Sequence, residues 1–310
     1  MSLKVERAGP MALVVDGGRG GVRHLGVTQG GAMDWVALGW ANWLLGNAPD
    51  AAGLEVMVGG LELVAEADIC VALAGADLAA RRDGEAIAPG QALTLKQGQR
   101  LVFERPSKGL RAYLALPGGV AGEAVMGSLS STVREGLGGL DGLGRPLVAG
   151  DRVEAKAPHQ RVNSRELAPS AATLTASSEP LELALVTGAQ LASFDGHSLY
   201  RAFNQDWTID QRADRMGIRL TGARLEGRMK GMVSEGIPLG AVQVPPDGQP
   251  IILMNDRQTI GGYPRLGALT PLACARLAQC LPGTRVRFKP VSPEQAQRDH
   301  LQCLHAWRTE

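Results

Sequence analysis

Short hydrophobic runs separated by polar residues dominate the stretch from residue 54 to residue 103. Gly, Asp or Pro interrupts these runs roughly every ten residues, a spacing typical of antiparallel strands in a barrel or sandwich rather than of βαβ units. Further apolar runs at 111–116 and 181–187 predict two more strands. Residues 241–244 and 250–254 flank a Pro-Pro-Asp-Gly turn and predict a β-hairpin. The pattern therefore predicts a mainly β protein.

A few segments carry helical signals instead. Residues 32–45 are apolar on all sides and end at Gly46-Asn47, which predicts a deeply buried helix. Residues 189–203 predict a second helix. Thr270 and Pro271 are a favourable cap and first residue for a helix over 270–280. Ser292 to Gln295 resemble a capping box that opens a helix at the C-terminal end.

The length of the chain predicts two domains. At 310 residues it exceeds the size at which a single core usually stops growing. Residues 156–180 are rich in Pro, Ser, Ala and Thr and show little periodicity, as interdomain linkers do. We therefore predict an N-terminal domain over 1–155, a linker over 156–180 and a C-terminal domain over 181–310.

Composition narrows the functional class. Hydrophobic residues make up 45% of the chain, charged residues 20%, and the net charge is +1. These values predict a globular protein without a general attraction to nucleic acid or anionic membranes. No segment approaches the ~20 apolar residues that span a bilayer, so a cytoplasmic protein is expected. Four sparse cysteines are expected to be reduced thiols, and a terminal group of His300, Cys303 and His305 is too incomplete to predict a metal site.

Two loops of the first half carry candidate anion-binding groups. Residues 14–34 form a glycine-dense loop with Asp16, Arg19 and His24, in which backbone N–H groups can meet an anion, although the chain contains no P-loop motif. Near residue 130, Ser130 and Thr132 place hydroxyls beside an arginine, Arg134, which suits a carboxylate or phosphate. A loop histidine at the surface and a flexible loop with solvated hydroxyls are the alternative interpretations.

In the second half, an unbroken polar row follows the predicted hairpin. It runs from Asn255 to Thr259 and is followed by Gly261-Gly262-Tyr263-Pro264. Polar groups at the exit of a buried strand, with glycines that let a ligand approach the backbone, favour a functional loop. An ordinary hydrated connection remains the alternative. A strand over 214–220 would place Arg215 and Arg219 on one polar face, which suits either an anion or solvent.

Together these motifs resemble one family. It is the biotin-dependent carboxyltransferase family of allophanate hydrolase subunit 2, or KipA, which includes the C-type subunit of 5-oxoprolinase. The resemblance covers nearly the whole chain, although Val15 stands where the family usually has glutamine before the aspartate of its first motif. The motifs that carry it are VDGGRGG at 15–21, GAMD at 31–34, Ala41-Asn42 with Gly46-Asn47, GSLSSTVREGLGG at 127–139, DRMGIRL at 214–220 and NDRQTIGGYPR at 255–265.

The resemblance implies two cyclophilin-like β-barrel domains and an ATP-dependent complex that opens 5-oxo-L-proline to L-glutamate. ATP and Mg²⁺ would act in that complex, with the B-type and A-type subunits of 5-oxoprolinase as partners. A first alternative is carboxyl transfer to urea or another small amide. Its biotin would come on a separate chain, because Lys230 matches the Met-Lys-Met setting of a carrier lysine on one side only. A second alternative is a non-enzymatic regulator that binds a histidine kinase or its inhibitor.

The same resemblance, with residue chemistry, selects the candidate site. The predicted catalytic residues are Asp256, Gln258 and Arg134. Asp256 would act as a Mg²⁺ ligand or as a base. Loops of both domains are expected to meet in one pocket that holds Arg134, Arg215 and Asp256. The predicted substrate-binding residues are Arg215, Thr259, Gly261, Gly262, Tyr263, Ser130, Thr132, Asp16 and Arg19.

Overall fold

The computed structural model describes residues 1–159, 179–227 and 232–307. Most of the predicted linker over 156–180, and Lys230, lie outside these ranges. The chain divides into two compact units. The first contains Met1–Gly20 and the described residues from Gly30 to 159, and the second contains Gly21–Gln29 and the described residues from 179 onward. A short piece of the glycine-dense loop thus belongs to the second unit.

The first unit contains two antiparallel sheets and one α-helix in its described part. Its helix α1 is Trp35–Leu44. One sheet has the strand order β11-β1-β4-β9-β6-β7 and the other β2-β3-β10-β5-β8. The strands are β1 (Ser2–Arg7), β2 (Met11–Val15), β3 (Gly53–Met57), β4 (Glu62–Ala65), β5 (Ile69–Asp77), β6 (Arg81–Arg82), β7 (Glu85–Ala86), β8 (Gln91–Leu95), β9 (Arg100–Val102), β10 (Lys108–Ala115) and β11 (Arg152–Glu154).

A single hydrophobic core joins the two sheets. Leu3 and Leu63 from one sheet and Val71 and Leu114 from the other belong to the same buried cluster. The alternation along β4, in which Leu63 and Ala65 are buried and their neighbours are half-buried, is the period-two pattern of a sheet with one covered face. The prediction of antiparallel strands over 54–103 is confirmed.

Helix α1 is as buried as its sequence predicts. It begins at Trp35, later than expected, because the Asp34 side chain accepts a hydrogen bond from the Ala37 N–H and caps the helix there. Asn42 is fully buried, and its Nδ2 donates to the carbonyl of Ala51 at 2.8 Å. The Oδ1 of Asn42 accepts a hydrogen bond from Asn47 Nδ2 at 2.9 Å. The polar group inside this apolar helix is therefore satisfied.

In the second unit, seven strands close into a barrel of order β12-β19-β16-β17-β14-β13-β20, in which β12 and β20 are parallel. A two-stranded sheet pairs β15 with β18. The strands are β12 (Leu181–Thr187), β13 (Trp207–Ile209), β14 (Gly217–Thr221), β15 (Glu235–Gly236), β16 (Ala241–Gln243), β17 (Ile251–Leu253), β18 (Ile260–Gly261), β19 (Arg265–Leu269) and β20 (Arg285–Val291), and the helices are α2 (Gly196–Asn204), α3 (Pro271–Leu277) and α4 (Pro293–Ala306).

Several local predictions for this unit are confirmed. The predicted hairpin is formed by β16 and β17, with Val242 opposite Ile252. Thr270 caps α3 and Ser292 caps α4 through their hydroxyls. Together with the closed barrel and the sheets of the first unit, these elements confirm a mainly β fold with a few helices.

Two local predictions for this unit are wrong. The single helix expected over 189–203 is a 3₁₀ segment, Ala189–Ser193, followed by α2. Phe194 is extended, and Asp195 caps α2 by accepting from the Ser198 N–H at 2.7 Å, so the chain restarts there. The strand expected over 214–220 begins only at Gly217. Arg215 therefore lies before the strand and is buried, whereas Arg219 is exposed on it.

Among the described residues, no helix is both long enough and apolar enough to cross a membrane.

Candidate functional site

The pairing of β14 with β17 brings Arg215 next to the polar row that follows the hairpin. Gly217 of β14 lies opposite Leu253 of β17, and backbone hydrogen bonds continue past the strand ends. Met254 N–H donates to the carbonyl of Met216, and Asp256 N–H donates to the carbonyl of Arg215, both at 2.9 Å. This extension of the ladder places the two charged side chains side by side.

Arg215 and Asp256 form a two-pronged ion pair. Arg215 Nε donates to Asp256 Oδ2 at 2.9 Å, and its Nη2 donates to Oδ1 at 3.1 Å. The side chains are only 9% and 12% exposed, respectively. Because the guanidinium engages both carboxylate oxygens, the geometry favours a positioning role for Asp256 over coordination of Mg²⁺. In the described ranges, no group of three or more His, Cys, Asp or Glu residues could hold a metal ion.

Arg257, the next residue, is buried against backbone carbonyls. Its Nε donates to the carbonyl of Ile237 and its Nη1 to that of Met254, both at 3.1 Å. Its Nη2 lies 3.3 Å from Gln29 Oε1. Burial lowers the pKa of Arg257 to about 10, and the nearby positive charge of Arg23 adds to this effect.

Arg23 reaches the same carbonyl from the glycine-dense loop. It opens a 3₁₀ turn, Arg23–Leu25, that Gly26 ends in the left-handed region at φ 81°. Its Nη2 donates to Ile237 O at 2.8 Å and lies 3.2 Å from the carbonyl oxygens of Gln258 and Thr259. Burial also lowers the pKa of Arg23. Two guanidinium groups thus share one neutral acceptor.

The other predicted residues of this loop follow Arg257 in the chain. Gln258 is exposed, and the Thr259 carbonyl also accepts from the Ile237 N–H at 3.0 Å. Gly261 pairs with Glu235, and a Cβ on it would lie 2.6 Å from Ile237 Cδ1, so a larger residue there would require the Ile237 side chain to shift. Gly262 and Tyr263 line a cleft of about 630 Å³, bordered also by Arg224 and Pro245.

In the first unit, the predicted residues form a hydrogen-bonded network with Asp16 at its centre. Asp16 Oδ1 accepts from Ser128 Oγ at 2.7 Å, from Ser130 Oγ at 2.6 Å and from the Gly18 N–H at 2.8 Å. Its Oδ2 accepts from the Leu129 N–H at 2.6 Å. A carboxylate with four donors fixes the loop that begins at residue 127. Contact of Asp16 or Ser130 with a substrate stays a prediction.

Arg19, Thr132 and Arg134 differ in exposure. Arg19 is 1% exposed, and its Nη2 donates to the Ser130 carbonyl at 2.7 Å. Thr132 is equally buried and bonds to the carbonyl of Leu137. Arg134, by contrast, is exposed. The expectation that Arg134 shares a pocket with Arg215 and Asp256 concerns residues of both units and stays a prediction.

Replacing Gly138 with alanine is expected to destabilise this network. Its φ is 80°, and a Cβ would overlap the Ser130 carbonyl oxygen and lie 2.6 Å from Arg19 Nη2. We expect a loss of about 2–5 kcal/mol, from backbone strain and steric overlap together. Gly127 is the matched control, because its φ is also 80° while no atom lies within 4 Å of its Cβ position. Urea unfolding that gave equal losses for both variants would contradict the role of Gly138.

Sequence reasoning missed the pairing of Arg23 with Arg257. Both lie in segments that the sequence singles out, but residue type there favours Arg19 and Asp256 as candidates. Arg23 and its acceptor Ile237 are 214 positions apart in the chain. The available signal was the position of Arg257 inside the polar row, directly after Asp256.

The described residues thus form a unit built from two sheets and a unit built on a closed barrel. The chain belongs to the family described as carboxyltransferase domain, subdomain A and B, whose model matches residues 25–290. This match confirms the resemblance stated from the motifs.

The chain is similar to a 5-oxoprolinase subunit and to urea amidolyases. The C-type subunit of 5-oxoprolinase from Escherichia coli strain K12 is 39% identical over an alignment of 313 positions, which covers 99% of this chain and 98% of that protein. The urea amidolyase of Lachancea kluyveri is 27% identical over 91% of this chain but 16% of that protein. The crystal structure of the K. lactis urea amidolyase superposes with a TM-score of 0.89 at 23% identity, over 99% of this chain and 20% of that chain, and shows the shared fold.

Proposed function

We propose that this chain is one component of a 5-oxoprolinase that opens 5-oxo-L-proline to L-glutamate at the expense of ATP. The observation that carries the proposal is the 39% identity to the C-type subunit of a 5-oxoprolinase over almost the full length of both chains. The proposed partners are the B-type and A-type subunits of such an enzyme. The proposed location is the cytoplasm, where ATP is available.

The chemistry of the substrate fits the charges of the second unit. A lactam is a poor electrophile, and 5-oxoproline carries a carboxylate at neutral pH. A site for it needs fixed donors for that carboxylate and for the negative charge that develops on the lactam oxygen. Arg23, Arg215 and Arg257 supply three guanidinium groups around the 255–259 row, and Asp256 supplies one carboxylate.

Within this proposal, Asp256 positions Arg215, and Arg215 contacts the substrate or the developing charge. The exposed side chains of Gln258 and Tyr263 are available to orient a ligand, and exposed Arg134 is a further candidate donor. Thr259, Gly261 and Gly262 shape the backbone around the row. Asp16, Arg19, Ser130 and Thr132 support the first unit's loop through their internal bonds.

The described residues of this chain do not fit a dedicated Mg²⁺ site. Mg²⁺ is usually held by one or two carboxylates together with phosphate oxygens, and both oxygens of Asp256 already contact Arg215. The proposal therefore assigns Mg²⁺ and ATP to the assembled complex. The overall reaction consumes ATP and two waters with 5-oxoproline and yields glutamate, ADP and phosphate.

Carboxyl transfer from a biotin carrier to urea or another small amide is the second candidate function. It is favoured by the 27% identity to a urea amidolyase, of which this chain spans 16%. The same arginines would serve a developing oxyanion in that reaction. Binding to a histidine kinase or its inhibitor, without catalysis, is the third candidate.

Co-purification from the native host separates the three candidates. The chain would carry an affinity tag, and mass spectrometry would identify the bound proteins and any biotinylated lysine. We expect two unbiotinylated partner chains and ATP hydrolysis that depends on 5-oxo-L-proline but not on urea. A biotinylated carrier with urea-dependent ATP hydrolysis, or a kinase as the main partner, would overturn the proposal.

A further inference from the structure

The arginines around Ile237 carry more positive charge than nearby carboxylates neutralise. Arg23 and Arg257 both donate to the Ile237 carbonyl, at 2.8 and 3.1 Å, and their other acceptors are carbonyl or amide oxygens. Among the described residues, neither arginine forms an ion pair with a carboxylate. Neutral oxygens satisfy N–H groups but leave the two charges uncompensated.

The ionisable neighbours do not supply the missing counter-charge. Two carboxylates lie nearby among the described residues, and each is already paired: both oxygens of Asp256 are held by Arg215, and Glu235 is paired with Arg265. Cys274 also acts electrostatically on Arg257, but burial raises the pKa of its thiol to about 12. The thiol is therefore neutral at physiological pH, and the three arginines retain an excess of two positive charges over Asp256.

Near Ile237, two buried side-chain donors also lack a hydrogen-bond partner among the described residues. The second terminal nitrogen of Arg23, Nη1, is buried and has no hydrogen-bond partner among the described residues. The same holds for Nε2 of Gln243, which borders Gly261 in the adjoining strand pair. A buried donor without a partner is costly. Here such donors accompany the excess charge, and an anionic acceptor would satisfy both.

We propose that Arg23 and Arg257 form a carboxylate-binding site in the second unit, and that the carboxylate of 5-oxo-L-proline is its occupant. The choice of occupant rests on the function proposed above. Arginine suits this role because its planar fork donates two parallel bonds to a carboxylate. Arg215, held by Asp256, then remains available for the lactam end of the same molecule.

Thermal unfolding of the purified chain with three probes tests the site. We expect saturable stabilisation by 5-oxo-L-proline and none by 2-pyrrolidinone, which has the same ring without the carboxylate. Arg23→Gln should weaken binding of 5-oxo-L-proline by about tenfold or more. Arg23→Lys, which keeps the charge but loses the fork, should fall between that variant and the wild type. Arg219→Gln, which alters an exposed arginine of the same unit, is the control and should bind normally.

Three results would overturn the assignment. The first is equal binding of 5-oxo-L-proline by Arg23→Gln and the wild type. The second is stabilisation by 2-pyrrolidinone equal to that by 5-oxo-L-proline. The third is Arg23-dependent binding of inorganic phosphate without binding of 5-oxo-L-proline. A purely structural Arg23 would lower the unfolding midpoint in Arg23→Gln without changing its response to the probe.

The assembled enzyme separates failure of the site from failure of the proposed function. If the assembly turns over 5-oxo-L-proline and Arg23→Gln leaves its KM unchanged, the function stands and the site is wrong. If the chain binds the carboxylate through Arg23 but no assembly hydrolyses ATP with it, the site stands and the function is wrong. Both are supported if Arg23→Gln raises the KM of the assembly for 5-oxo-L-proline about tenfold or more, with a smaller change in kcat.

Discussion

Asp256→Ala is expected to lower the free energy of unfolding by about 3–5 kcal/mol, the usual cost of breaking a buried ion pair from one side. The variant would leave the Arg215 guanidinium, whose side chain is 9% exposed, without its carboxylate. Turnover by the assembly should fall about 10²-fold per folded chain, because Arg215 would lose its fixed orientation. Urea unfolding and turnover corrected for folded protein measure the two effects.

A double variant tests the ion pair of Arg215 and Asp256 as a unit. Asp256→Leu combined with Arg215→Met replaces both charges by apolar groups, and we expect it to recover more than half of the stability lost in Asp256→Leu alone. Turnover should stay low in the double variant, because the donor is gone. An Asp256→Ala protein with unchanged stability and undiminished turnover would contradict the role given to this pair.

The second large effect is expected in the first unit. Asp16→Asn should lower the free energy of unfolding by about 2–4 kcal/mol, because charged hydrogen bonds from two hydroxyls and two backbone N–H groups are weakened or lost. The amide keeps one acceptor oxygen, while its NH₂ group faces donors. Denaturant unfolding measures the loss.

Asp50→Asn is the matched control, since Asp50 is an exposed aspartate of the same unit. Its variant should unfold within about 0.5 kcal/mol of the wild type. Equal stability of Asp16→Asn and the wild type would mean that the carboxylate is not what holds the loop that begins at residue 127. The residue would then be a better candidate for substrate contact.

Elements with local signals were predictable from the sequence. The hairpin of β16 and β17 follows from its Pro-Pro-Asp-Gly turn, and α3 follows from Thr270 and Pro271. The buried helix α1 follows from its apolar residues on all sides. The helix expected over 189–203 failed because one cap, Asp195, outweighed an otherwise helical stretch. A single polar residue can thus move a helix boundary that periodicity alone does not fix.

The site was only partly predictable, because its contacts join distant parts of the chain. The sequence selected Arg215 and Asp256 separately, but their pairing depends on the register of β14 against β17. Asp16 and Ser130 are 114 positions apart, and only the fold shows that they bond to each other. The polar row draws attention to Arg257, but no local pattern marks the Ile237 carbonyl as the acceptor that it shares with Arg23. Residue type therefore predicted which segments matter, and register decided which side chains meet.

Product formation by an assembly with and without this chain tests whether the chain is a component of a 5-oxoprolinase. Partner chains co-purified with it would be reconstituted and supplied with 5-oxo-L-proline and ATP, and glutamate and ADP would be quantified by chromatography. We expect equal amounts of the two products when all chains are present, and loss of glutamate when this chain is left out. Undiminished glutamate formation without this chain, or none from the complete assembly, would contradict this expectation.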